Sequence, residues 1–131
     1  MSFLLDTNIC SSHIRRPAGL AHRLIQHSGR VWMPTIVLAE LYAGAYMLDP
    51  PDRILAGIED LRKDVGVLVY DERCAEEFAK LRGALKRQGV VANPVDLMIA
   101  SVALVHDLTL VTNNTADFRF IPALRLEDWL T

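Results

Sequence analysis

Four short apolar runs are spaced along the chain: Phe3-Leu4-Leu5, Arg30-Val31-Trp32-Met33, Gly66-Val67-Leu68-Val69-Tyr70 and Thr109-Leu110-Val111. Longer segments with helical periodicity lie between them. That alternation restricts the fold more than any other feature. Antiparallel neighbours need only a tight turn, whereas parallel neighbours need a long crossover, usually helical. The sequence therefore predicts an α/β chain with a mainly parallel central sheet of four or five strands. The fifth would be an edge strand in Leu124-Arg125-Leu126. In open sheets of this kind ligands bind beyond the carboxyl ends of the strands. The residues that follow each run are therefore where chemistry is expected.

The helical segments have readable ends. Asn8 to Arg16 and Leu20 to His27 read as helices broken at Pro17-Ala18-Gly19. Thr35 reads as the cap of a helix to about Met47. Another starts at Asp49-Pro50-Pro51 and carries Ile54, Ile58 and Leu61 on one face. Asp71 reads as the cap of a helix from Glu72 to Gln88, whose apolar stripe is Cys74, Phe78, Leu81 and Leu85 and whose end is Gly89. Asn93-Pro94 opens a last helix to about His106, with proline at a favourable first position.

Length and composition narrow the class. A chain of 131 residues, 51% apolar, suits a single domain spanning 1–131 with a substantial core. No apolar run approaches the ~18 residues of a membrane span, so no membrane association is expected. The opening Met1-Ser2-Phe3-Leu4-Leu5-Asp6 lacks the basic start and long apolar stretch of a signal peptide. Cys10 and Cys74 read as reduced thiols of a cytoplasmic protein, and neither has partners at zinc-ligand spacing. The net charge of -2 does not advertise nucleic-acid binding, but a divalent ion can offset a local cluster of acids.

Most of the sixteen acidic residues have an ordinary explanation on exposed helix faces or in the tail. Four stand apart. Glu40 lies within Ile36-Val37-Leu38-Ala39-Glu40-Leu41-Tyr42-Ala43-Gly44-Ala45, apolar nearly all round, which reads as a buried helix. A carboxylate there needs a partner or a metal. The alternative is that Glu40 faces the one solvent stripe of that helix. Asp96 opens the equally apolar Leu97-to-Val105 segment, although a carboxylate at the third helical position also favours the helix dipole. Asp6 directly follows the first strand, at the expected ligand edge, and can also cap the next helix. Asp117 follows the turn-like Thr112-Asn113-Asn114-Thr115-Ala116; Thr112 and Asn113 come straight after a strand end and suit an oxygen ligand or phosphate. Asp71 follows a strand as Asp6 does, and only its role as a helix cap demotes it.

Four carboxylates at one site repel each other unless a cation sits between them. Hard oxygen donors suit Mg²⁺ or Mn²⁺, and such ions activate water and clamp phosphodiesters. That chemistry needs no histidine. His13, His22, His27 and His106 are scattered, and none has a triad-like neighbour.

The sequence resembles the PIN-domain nucleases, and within them the VapC-like toxins of toxin–antitoxin pairs. Leu4-Leu5-Asp6-Thr7-Asn8-Ile9 matches the first acidic motif, Ala39-Glu40-Leu41-Tyr42-Ala43-Gly44 the second, Asp96-Leu97-Met98-Ile99-Ala100 the third, and Leu110-Val111-Thr112-Asn113-Asn114-Thr115-Ala116-Asp117-Phe118 the last. Ile121 to Trp129 is similar to the family's usual ending. The stretch Gly89 to Val95 departs from the family's habit of a glycine shortly before the third acid. The resemblance implies a PIN-like three-layer α/β/α sandwich and a Mg²⁺- or Mn²⁺-dependent endoribonuclease. It also implies a homodimer, an RNA substrate and inhibition by a cognate VapB-like antitoxin. By position, Asp6 and Asp96 would be principal metal ligands, Glu40 would bind directly or through water, and Asp117 would complete the cluster. Thr7, Asn8, Thr112 and Asn113 would orient the acids or phosphate.

Affinity for RNA would have to come from local cations. Arg82, Lys86 and Arg87 gather late in one helix, Arg15 and Arg16 end another, and Arg119 lies just past Asp117. Helix ends favour cations regardless of ligand. Two other functions use the same residues: a catalytically inactive PIN-fold binding module, and a metal-dependent phosphoesterase acting on DNA.

Overall fold

The computed structural model describes residues 1–130. Its five strands are β1 (Phe3–Leu5), β2 (Val31–Pro34), β3 (Gly66–Leu68), β4 (Thr109–Val111) and β5 (Leu126–Glu127). They form one sheet in the order β3-β2-β1-β4-β5, and every neighbouring pair is parallel. The helices are α1 (Thr7–Arg15), α2 (Pro17–Gln26), α3 (Thr35–Tyr46), α4 (Asp52–Asp64), α5 (Glu72–Arg87) and α6 (Pro94–Val105). The predicted parallel α/β sheet is thus present, with its fifth strand.

Every residue of β1 and β4 is buried, the pattern of parallel strands covered on both faces. The chain steps one way from β1 through β2 to β3, then crosses back to β4 on the other side of β1. Right-handed crossovers therefore put the helices that lead to β2 and β3 on one face and α5 with α6 on the other. In keeping with this, α1 packs on α3 and α4, and α5 packs on α6. Helix α3 also meets α6, which brings the elements that carry Glu40 and Asp96 together. The reversal of direction falls between β1 and β4. The crevice beyond their carboxyl ends is the topological switch point.

Several ends differ from expectation. The break between the first two helices is Arg16 alone, because Pro17 sits at the first position of α2, where its missing N–H costs nothing. Thr35 is not a cap. It begins α3 without capping it, and its Oγ1 accepts from the Tyr70 amide at 3.2 Å. That bond takes Tyr70 out of the sheet and helps end β3 at Leu68. The tail strand is shifted toward the C-terminus, to Leu126–Glu127. Gly89 ends α5 as expected, with φ +74°. Its amide donates to the Lys86 carbonyl at 3.0 Å, and the Val90 amide to Leu85 at 2.9 Å, a Schellman closure that fixes the loop before Asp96. Among the described residues no helix is long and apolar enough to cross a membrane.

Candidate active site

Asp6 occupies the switch point. Its amide continues the β1–β4 ladder by donating to the Val111 carbonyl at 2.9 Å, and its side chain is 5% exposed. Oδ1 accepts from the Thr7 amide at 2.7 Å, and Oδ2 from the Thr112 hydroxyl at 2.8 Å. Thr112 is fully buried. Its oxygen also accepts from the Asn114 amide at 3.1 Å, so its one hydroxyl proton is directed at Asp6. Burial pushes the Asp6 carboxyl above its ordinary range and Glu40 adds to this, against the lowering effect of Thr112, Thr7 and Asn8.

Asn8 ties the two strand ends together. Its Nδ2 lies 3.4 Å from both Asp6 Oδ2 and Thr112 Oγ1, and its Oδ1 accepts from the Asn113 amide at 3.0 Å. Asn113 in turn donates Nδ2 to Asp128 at 3.2 Å. Both of these amide groups of Asn113 thus brace the loop.

Glu40 corrects the expectation of a buried carboxylate. It is exposed, on the solvent stripe of α3 with Ala39, Ala43 and Gly44. These small neighbours make the helix apolar in composition without covering its outer face. Glu40 still joins the cluster, because Oε1 accepts from the Thr7 hydroxyl at 2.6 Å. Thr7 therefore touches two acids, its amide holding Asp6 and its hydroxyl holding Glu40.

Asp96 stands at the third position of α6. Asn93 caps that helix, accepting from the amides of Val95 at 2.8 Å and Asp96 at 3.3 Å. Burial, then the charges of Asp6, Asp117 and Glu40, push the Asp96 carboxyl up to about 6. No lysine, arginine or histidine is among the groups that perturb it. Asp117 is exposed in the 3-10 turn Thr115–Asp117, which the buried Phe118 anchors. The four acids thus share one electrostatic field. Among the described residues, however, no three Asp, Glu, His or Cys side chains stand close enough to ligate one ion between them.

Asp71 is a helix cap, accepting from the Cys74 amide at 3.1 Å. Of the cations, Arg15 lines a groove of about 220 Å³ beside Glu40, whose other walls include Ile14, Leu41, Leu48 and Ile54. Arg82 and Lys86 line a separate cleft next to Leu97. Arg16, Arg87 and Arg119 are exposed, with no ion pair among the described residues. Sequence reasoning missed Asp128 and the groove. Asp128 becomes readable once β5 is set beside β4, which brings residues 127–128 alongside 112–113. The groove has no local signal, since three helices build it.

The PIN domain family model matches residues 3–123. The chain is 39% identical over 130 residues to a tRNA(fMet)-specific endonuclease VapC of Shigella flexneri, covering 98% of each chain. It is 36% identical over 131 residues to a ribonuclease VapC2 of Haemophilus influenzae, covering 99% of each. A crystal structure of DNA-bound VapBC from Salmonella typhimurium superposes with a TM-score of 0.92 at 37% identity, covering 98% of each chain.

Proposed function

This chain belongs to the PIN-domain family, and within it to the VapC-like proteins; from that premise we propose that it is a metal-dependent endoribonuclease, the toxin of a toxin–antitoxin pair. The reaction is hydrolysis of RNA phosphodiester bonds at Asp6, Glu40, Asp96 and Asp117. One observation carries the reading: Thr7 joins Asp6 and Glu40 at the switch point, in a chain similar over nearly its whole length to named VapC ribonucleases.

The donors fit Mg²⁺ or Mn²⁺. All are hard carboxylate oxygens, and the uncompensated repulsion is what a divalent cation relieves. Mg²⁺ is commonly held by one or two carboxylates with its own waters. When bound, such an ion activates water and neutralises charge on the phosphate. In this reading Asp6 and Asp96 are principal ligands, Glu40 acts directly or through water, and Asp117 completes the cluster. The chain's own groups set the positions. Thr112 and Asn8 hold one Asp6 oxygen, the Thr7 amide holds the other, and the Thr7 hydroxyl orients Glu40.

The test is incubation of purified protein with transfer RNA, single-stranded DNA and duplex DNA, in Mg²⁺ or EDTA. The name of the Shigella relative makes initiator transfer RNA the first substrate to try. Cleavage of RNA alone, lost in EDTA and in Asp6→Asn or Asp96→Asn, is expected. Cleavage of DNA instead would make the chain a DNA-directed phosphoesterase, and no cleavage at all would leave a binding module.

The partner is a cognate antitoxin. The groove beside Glu40 and the exposed Tyr46, Met47 and Leu48 at the end of α3 offer an apolar surface for an amphipathic segment. A basic antitoxin residue would then face the acids. A complex that leaves the acids open to RNA would contradict this. The chain is further proposed to act as a cytoplasmic homodimer, which sedimentation of the purified toxin tests.

A further inference from the structure

We propose that the cleft between the end of α5 and the start of α6 is a subsite for one nucleotide of the RNA strand beside the scissile bond. The phosphate would lie on Arg82 and Lys86, and the sugar or base against Leu85, Val90 and Leu97. The proposal rests on the ribonuclease reading above and deepens it.

The cleft has a volume of about 270 Å³, near the lower end for ligand pockets and suited to a single nucleotide. Its walls are fixed. Helices α5 and α6 pack on each other, and the closure at Gly89 holds Val90 over Leu85. The lining includes Leu97, the residue after Asp96 in α6.

Neither of its two cations is held in an ion pair among the described residues; those pairs use Arg62, Lys63, Lys80 and Arg125. As like charges four residues apart, they destabilise α5 by a few tenths of a kcal/mol. The helix dipole rewards Lys86 in the last turn, but Arg82 lies before that turn. At the rim Val91 is 97% exposed, an apolar surface that a sugar or base would cover. Charge complementarity selects the occupant. RNA approaching four carboxylates on a chain of net charge -2 needs cations close to the reacting phosphate.

The experiment uses the full chain carrying Asp6→Asn, in EDTA, so that binding is read without cleavage. A fluorescein-labelled single-stranded RNA of mixed sequence is titrated by anisotropy across a range of salt. Adding Arg82→Ala and Lys86→Ala is expected to weaken binding about tenfold at low salt. The slope of log affinity against log salt should become shallower by about 0.7, the worth of one single-strand phosphate contact. Lys80→Ala, whose ammonium pairs with Glu76 on the exposed face of the same helix, should change neither. If the alanine pair unfolds, Arg82→Gln with Lys86→Gln keeps the stems and loses the charge. Unchanged affinity and slope in the double variant overturn the subsite and leave the ribonuclease reading intact. Absence of any RNA binding by the Asp6→Asn chain, in Mg²⁺ as well as in EDTA, overturns both. A loss that comes with a changed sedimentation mass makes the cleft an interface between copies and overturns the subsite.

Discussion

Replacing Asp96 with asparagine keeps the side-chain shape and removes one negative charge from a crowded field. Burial and the three neighbouring acids raise the Asp96 carboxyl from 3.8 to about 6. The folded chain therefore holds this proton more tightly than the unfolded chain. Stability falls as pH rises from about 4 to about 6, and the full penalty is present above that range. Taken whole, the difference corresponds to about 3 kcal/mol. Asp96 is only partly buried, and solvent screening reduces this to about 1 kcal/mol. Urea unfolding in EDTA should show Asp96→Asn more stable than the parent by about 1 kcal/mol at pH 7.5, with an unchanged m-value. The gap should close near pH 4, where the parent's Asp96 is protonated. Adding Mg²⁺ should narrow or reverse the gap at pH 7.5, because the ion relieves the parent and loses a ligand in the variant. An asparagine variant less stable than the parent at pH 7.5 in EDTA, or a gap that persists at pH 4, would refute the repulsion argument.

Thr112→Val removes the hydroxyl that donates to Asp6 and leaves a buried carboxylate short of one partner. We expect a loss of about 2 kcal/mol in urea unfolding at pH 7.5, and parental stability would show that Asp6 has another partner. Thr7→Val frees the exposed Glu40, so stability should move by less than about 0.5 kcal/mol. The kcat for RNA cleavage should fall about tenfold if that hydroxyl orients the acid; an unchanged kcat would separate Glu40 from the chemistry. Gly57 lies in α4 where an added Cβ would sit 2.7 Å from Ile14 Cγ2. Gly57→Ala gains about 1 kcal/mol of helix propensity against about 2 kcal/mol of overpacking. The melting temperature should therefore drop by a few degrees, and a rise would mean that α1 yields freely.

Much of the candidate site was legible because it sits at strand ends. Asp6 and Thr112 each directly follow a short strand-like run, and parallel pairing sets their strands side by side at the reversal point. Asp96 was legible through Asn93-Pro94, whose capping fixed where α6 begins. Glu40 was singled out on mistaken grounds. The outer face of α3 is made of alanine and glycine, which count as apolar in composition but leave the helix open to solvent. The cap expected at Thr35 failed because the residue found a tertiary partner in Tyr70, a contact between segments far apart in sequence. The groove and the bracing by Asp128 were illegible for the same reason. Ser11, Leu48 and Ile54 share a wall only after three helices dock, and a two-residue edge strand carries almost no local signal.

The hydroxyl that holds Asp6 lies 106 positions further along the chain, and the strand bearing Asp6 finds one of its two neighbours only when β4 arrives. A nascent polypeptide therefore emerges with its first acid exposed and its counterpart still unsynthesised. Such distant pairings make folding slow and late relative to translation. Stalled chains that end before Thr109 should remain protease-sensitive over residues 1–30, and full-length released chains should become resistant. A chain built this way brings its first acid to the hydroxyl that holds it only after nearly all of the polypeptide has been synthesised.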